Sequence, residues 1–330
     1  MDAWILDESP GAYRWGSVDL PELASDDVAV EVVASALNHM DLWVTRGAPR
    51  PPLPHVPGCD VAGVVSAVGS AVVDVAVGDE VVINPGVSPQ HEIDLWGNDS
   101  PMAPGFMIYG EHCWGGHAQV AIAPERNVRP RPAGRTWQEC AAYPLAYLTA
   151  YRMLRRARIG AGDTVLAVGI GSGVSCAALA IATHLGAEVV ATSRSEAKRS
   201  QALAMGAVAA VDSAAPKWGV QADIVIESVG PATFDQSLRS LKPGGRLVVC
   251  GGTSGNNVEL NLPRLFFKQH EIIGSTMGSY TEFDEVSALV GGGLPVFVDQ
   301  VVPLDQYPAA LERLERGEQL GKIVLDHGIR

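Results

Sequence analysis

The chain has 330 residues, 47% of them hydrophobic and 18% charged, enough apolar side chain for two packed cores and too much for a disordered polymer. Its 24 Lys and Arg are outnumbered by 37 Asp and Glu, and a formal charge of -13 repels phosphate backbones and anionic lipid. Nucleic acid and membrane surfaces are therefore not expected partners.

The opening stretch, MDAWILDESP, lacks the basic and apolar regions of a signal peptide. Five cysteines, Cys59, Cys113, Cys140, Cys176 and Cys250, lie far apart with no CxxC pair, which suits a reducing, cytoplasmic setting. From Val28 to Val82, short apolar runs (VAVEVVASAL, VAGVVSAVG, GDEVVI) alternate with turn signals and predict a β-rich unit. The Pro-, Gly-, Ser- and Asp-rich segment Asn84 to Glu111 has no period of either kind and is expected to be a long loop excursion. The apolar stretch Val165 to Ala187 is broken by four glycines and His184, so a buried strand running into a helix explains it better than a membrane span.

From Asp163 onward, β-branched runs alternate with helical stretches: TVLAVG, SCAALAIATHLG, EVVATS, EAKRSQALAMG, AVAAV, DIVIESVG, ATFDQSLRSL, GRLVVCGG and EIIGSTM. Such alternation requires crossover connections, hence an α/β architecture with a doubly wound parallel sheet. Its strands are nearly continuous Val, Ile and Leu because both faces are buried. Residues 278 to 330 return to mixed helix and strand, ending in GKIVL.

Between the first of these strands and its helix lies Gly169-Ile170-Gly171-Ser172-Gly173-Val174-Ser175. A helix N-terminus offers unpaired N–H groups and a positive dipole end, and glycines let a pyrophosphate approach the backbone. A dinucleotide is the natural ligand, although Val174 stands where the third glycine of G-x-G-x-x-G would fall. About 20 residues on, the acid that would bond an NAD ribose is missing. Ser193, Arg194 and Lys198 stand there instead, a hydroxyl and two cations suited to a 2′-phosphate. NADPH is thus expected over NADH.

Gly58-Cys59-Asp60-Val61-Ala62-Gly63-Val64-Val65, running on to Gly78-Asp79-Glu80-Val81, resembles the G-x-D/E-x-x-G-x-V signature of the medium-chain dehydrogenase/reductase superfamily. Leu148-Thr149-Ala150-Tyr151, Lys242-Pro243-Gly244-Gly245 and Gly321-Lys322-Ile323-Val324 extend the resemblance over almost the whole chain. It implies a GroES-like β-rich catalytic domain (1–126 and 278–330), a Rossmann domain (127–277), a nicotinamide in the cleft between them, and a homodimer. Zinc alcohol dehydrogenases of this family place ligands at three positions that here carry Asn38, Cys59 and Leu145. Catalytic zinc needs three protein ligands, so no metal site is expected. Pro89 likewise replaces the first Cys of the family's structural zinc lobe. His39, His91, His112, Cys113 and His117 lack the tight spacing of a dedicated site and are expected to be packing or surface residues.

The Asn-x-x-Asp of Asn38 and Asp41 resembles the zinc-free quinone and enone reductases of the family. Without a Lewis acid, hydride needs a small-molecule acceptor that is already electrophilic. Asn38 is the candidate N–H donor to the acceptor carbonyl or to the nicotinamide carboxamide, Asp41 an orienting group, and Cys59 a candidate proton donor or reactive thiol that a buried core role would also explain. Thr149, Gly251 and Lys322 are carried over as cofactor contacts. Two other readings stay open: an alcohol or aldehyde dehydrogenase with an unusual zinc, and a catalytically silent NADPH-binding protein.

Overall fold

The computed structural model describes residues 1–328, so the last two residues of the expected 278–330 segment lie outside it. The chain divides into two compact units, Met1–Leu145 with the return from Gly278, and Ala146–Met277. Among the described residues no helix is long and apolar enough to cross a membrane.

The first unit begins with β1 (Asp2–Ile5), β2 (Arg14–Ser17), β3 (Asp27–Ala36), α1 (His39–Thr45), β4 (Asp60–Val68) and β5 (Glu80–Ile83). It continues through β6 (Gly86–Val87), α2 (Gln90–Trp96), β7 (Met107–Ile108), β8 (Val120–Pro124), β9 (Val128–Pro130) and α3 (Trp137–Ala142). The segment expected to be a structureless loop thus holds α2, a 3-10 helix at Gly97–Met102 and the short β6·β7 pair. Because α2 buries none of its residues, it carries no apolar period for a sequence pattern to display.

The second unit holds most of α4 (Pro144–Arg156), then β10 (Thr164–Ala167), α5 (Gly173–His184), β11 (Glu188–Ser193), α6 (Glu196–Ala204), β12 (Ala209–Asp212) and β13 (Ala222–Glu227). It closes with α7 (Phe234–Arg239), β14 (Leu241–Val249), α8 (Leu262–Phe267) and β15 (Glu271–Gly274). The chain then returns to the first unit as α9 (Tyr280–Gly291), β16 (Val298–Pro303), α10 (Tyr307–Glu315) and β17 (Lys322–Asp326).

Six strands of the second unit form a parallel sheet in the order β12-β11-β10-β13-β14-β15. Leu166, Val190, Val225 and Leu247 pack with Phe234 and Leu238 on one side of it. The first unit is built on a seven-stranded sheet, β16-β17-β3-β4-β5-β9 with β8 also on β3. Val28, Val30 and Val32 alternate along β3 to meet Val61, Val65, Val81 and Ile83 in one core. The sequence put the first domain boundary after residue 126, whereas the first unit runs to Leu145. The reason is pairing: β9 completes the sheet on β5, and α3, opened by the Thr136/Glu139 capping box, packs on β3 and β4.

Candidate active site

Asn38 is the N-cap of α1, and its backbone N–H donates to Asp41 Oδ2 at 2.8 Å, closing a capping box one turn long. Asn38 and Asp41 are thereby locked together, and both are buried. The Asn38 amide is also fixed at its tip. Its Nδ2 donates to Asp60 Oδ2 at 2.8 Å, and its Oδ1 accepts from Lys322 Nζ at 2.5 Å. Lys322 donates to Asp60 Oδ2 as well, at 2.7 Å, and the Leu145 backbone N–H donates to Asp60 Oδ1 at 2.7 Å. A lysine 3% exposed and an aspartate fully buried are tolerable in this interior only because each satisfies the other.

Lys322, expected as a cofactor contact, gives two of its ammonium hydrogens to Asn38 and Asp60 and keeps a third donor unassigned. Cys59 is fully buried, and burial together with the carboxylates of Asp41, Asp60 and Glu111 raises its pKa, so it stands as a thiol rather than a thiolate. Gly58, at φ 107°, allows this approach: a Cβ there would meet His117 Nδ1 at 2.6 Å. His117 in turn shares a hydrogen bond with Ser35 Oγ at 2.9 Å, and Ser35 shares another with His327 at 2.9 Å. The other ring nitrogen of His117 stands 3.7 Å from Asp41 Oδ2. Burial and the Lys322 ammonium hold His39 down to about 4, so its ring is neutral.

These side chains do not fit a conventional catalytic zinc. Leu145 is hydrocarbon, the Asn38 oxygen is taken by an ammonium, and among the described residues no three His, Cys, Asp or Glu side chains converge on a metal-holding geometry.

In the second unit the glycine loop fits a dinucleotide phosphate. Gly169 has φ 69°, and a Cβ there would lie 3.1 Å from Val229. Ser172 caps α5 by accepting from the Ser175 N–H, leaving the other first-turn N–H groups at Gly173 and Val174 for a ligand. Gly171 lies between Gly169 and this cap. The loop is pinned to the end of β11 because Gly169 N–H donates to Thr192 Oγ1 at 3.0 Å and Ile170 N–H to Thr192 O at 2.7 Å. Ser193 and Arg194 follow directly, Ser193 buried and Arg194 exposed, while Lys198 lies in the first turn of α6. Thr149 is buried in α4.

Two residues here escaped the sequence reading. Arg199 donates to the carbonyls of Ser193 at 2.8 Å and Arg194 at 3.1 Å, fixing the turn that presents them. Glu227, fully buried at the end of β13, accepts from Val229 N–H, Gly230 N–H, Thr233 Oγ1 and Ser237 Oγ. The turn containing Gly251 is tied to this loop, since Thr253 N–H donates to Ser228 O and Ser254 N–H to Val229 O. A lone acid closing an apolar strand, as in DIVIE, was the available signal.

Two family models match the chain: an alcohol dehydrogenase GroES-like domain over residues 24–133 and a zinc-binding dehydrogenase over residues 173–291. The crotonyl-CoA reductase of Streptomyces avermitilis is 30% identical, the match covering 93% of this chain and 80% of that protein. The quinone oxidoreductase of Homo sapiens is 28% identical, with 95% of each chain covered. A crystal structure of an NAD-dependent alcohol dehydrogenase superposes with a TM-score of 0.94 at 38% identity, covering 99% of this chain and 100% of that one.

Proposed function

The chain belongs to the medium-chain dehydrogenase/reductase superfamily, in its quinone-oxidoreductase-like branch, and on that premise we propose that it passes hydride from NADPH to a quinone or an α,β-unsaturated carbonyl without zinc. Membership makes it an NAD(P)H-dependent oxidoreductase; the acceptor, the preferred cofactor and the freedom from metal are the proposal. One observation carries it: of the three positions that hold zinc in the family's alcohol dehydrogenases, Asn38 and the Leu145 backbone are wired into a buried Asn38–Asp60–Lys322 cluster, and the third, Cys59, is a fully buried thiol beside it. Because that cluster offers no three-ligand set for a Lewis acid among the described residues, the proposed acceptor is one that supplies its own electrophilicity.

When bound, the nicotinamide supplies the hydride. The protein's part is to meet the negative charge that develops on the acceptor oxygen. Asn38 has one Nδ2 hydrogen beyond the one given to Asp60, and its fixed amide is a preorganised donor for that oxygen. Asp41 is a positioning residue that holds Asn38 through its backbone N–H. In the second unit, Ser193 and Arg194 support the choice of NADPH, their turn fastened by Arg199.

The test is NADPH consumption by the purified protein, offered an ortho-quinone and a simple enone in parallel with a chelator present and NADH as control. Turnover with NADPH despite the chelator is expected, and Arg194→Gln should raise KM for NADPH about tenfold with little change for NADH. Silence on both acceptors with NADPH still bound sinks the assignment. The likeness to an NAD-dependent alcohol dehydrogenase favours a second reading, alcohol oxidation on an unusual zinc. One tightly held zinc per chain by elemental analysis, with activity lost on chelation, would put that reading first.

A further inference from the structure

The sheet of the second unit has a second edge that the dinucleotide reading leaves unused. In a parallel sheet every strand starts at the same edge, and nucleotides bind at the opposite, carboxyl ends. The glycine loop follows the carboxyl end of β10, whereas a cavity of about 480 Å³ opens at the amino ends of β13, β14 and β15. Its lining includes Lys217, Arg239, Arg264, Lys268 and His270 and not one carboxylate. In a chain of formal charge -13, four cations around one cavity are a local inversion of sign.

Only part of this charge is answered. Asp235, outside the lining, pairs with Arg239 at 2.5 Å and Arg264 at 3.0 Å. The ammonium groups of Lys217 and Lys268 enter no ion pair among the described residues. His270 is more than nine-tenths buried, and neither ring nitrogen has a hydrogen-bond partner of good geometry. Burial, Arg264 and Lys268 all favour its neutral ring, with the Lys242 carbonyl pulling the other way. The rest of the wall is apolar, formed by Trp218, Val220, Leu238 and Pro243. A pocket of this size with an apolar wall and convergent polar groups has the ordinary make-up of a small-molecule site.

We propose that this cavity is a second ligand site, separate from the dinucleotide loop, that binds a small organic phosphate. The phosphate sits among Lys217, Arg264, Lys268 and His270, and the organic body lies against Trp218, Val220 and Pro243. Guanidinium and ammonium groups together suit a phosphate dianion, and His270 supplies a ring N–H at the bottom. This assignment is independent of the hydride acceptor proposed above.

The test is isothermal titration of the NADPH-saturated protein with phenyl phosphate, with inorganic phosphate and benzoate as comparisons. Saturable binding of one phenyl phosphate per chain is expected, with inorganic phosphate and benzoate each at least about tenfold weaker. The double variant Lys217→Glu/Lys268→Glu, both at the cavity, should weaken phenyl phosphate at least about tenfold while leaving NADPH affinity unchanged, which also certifies its fold. Absence of binding to the NADPH-saturated protein, or equal binding by wild type and variant, would each overturn the site. Inorganic phosphate binding as tightly as phenyl phosphate would reduce it to an adventitious ion only.

Discussion

Glu111 is a carboxyl with little to hold its charge. It is 6% exposed, its Oε2 has no partner, and burial pushes its pKa up to about 7. Between pH 4.5 and 7 the folded chain therefore keeps a proton that the unfolded chain has released, so this residue makes stability fall as pH rises. His39 and His327 act oppositely. Burial drives them down to about 4 and about 3, and the unfolded chain takes up protons there that the folded chain refuses below pH 6.5. Glu111→Gln removes only the first effect. The variant should melt above wild type at pH 8, by up to about 3 kcal/mol, and the two should converge toward pH 5, where both lose stability through the histidines. Thermal melts from pH 5 to 9 check this; a gap that does not change with pH would refute it. Much of what surrounds Glu111 was out of reach of the sequence. Cys59 sits inside a recognisable motif, but the partner that fixes its neighbour Asp60 is Lys322, and nothing in local spacing announces an ion pair across so much chain.

Elements were legible where burial imposes a pattern. The strands β10, β11, β13 and β14 stood out because both faces of a parallel sheet are covered, so each reads as an unbroken apolar run. Helix α2 was invisible because none of its residues is fully buried, so no apolar stripe marks it. The turns that follow the strands were legible only in part, since their shape depends on buried acceptors such as Glu227. That carboxylate receives two backbone and two hydroxyl donors and so holds the turn after β13, which in turn holds Ser254 after β14. Glu227→Ala removes both acceptor oxygens and leaves the two backbone N–H groups without that partner in a buried turn. A loss of about 2 to 4 kcal/mol is expected by denaturant unfolding, together with a higher KM for NADPH and a smaller change in kcat. An unchanged KM in a destabilised variant would confine Glu227 to a structural role and separate the turn from cofactor binding.

At the scale of the molecule, the switch from short β runs to strand–helix alternation already separated a β-rich unit from a βα unit, but with the boundary after residue 126; the break at Leu145 follows from the pairing of β9. What composition does not reveal is which surface is finished. The six-stranded sheet ends in β15, a strand whose outer edge has no neighbour among the described residues. Beside it α8 buries none of its residues: Leu262 is 59%, Phe266 58% and Phe267 78% exposed, and Ile272 on β15 is 39% exposed. Isolated exposed apolar side chains are ordinary, but a cluster of this size beside an open sheet edge is a liability unless it is covered. We propose a second copy of the chain as the cover, joined about a two-fold axis so that the same patch meets itself. Phe267→Glu combined with Ile272→Glu places charges of one sign on that patch, so that the two copies repel across the axis, without touching the core. Light scattering should then give a wild-type mass near two chains at micromolar concentration and a variant mass near one, with NADPH binding retained. A wild type of single-chain mass refutes the dimer, and a variant that stays dimeric moves the interface elsewhere on the chain.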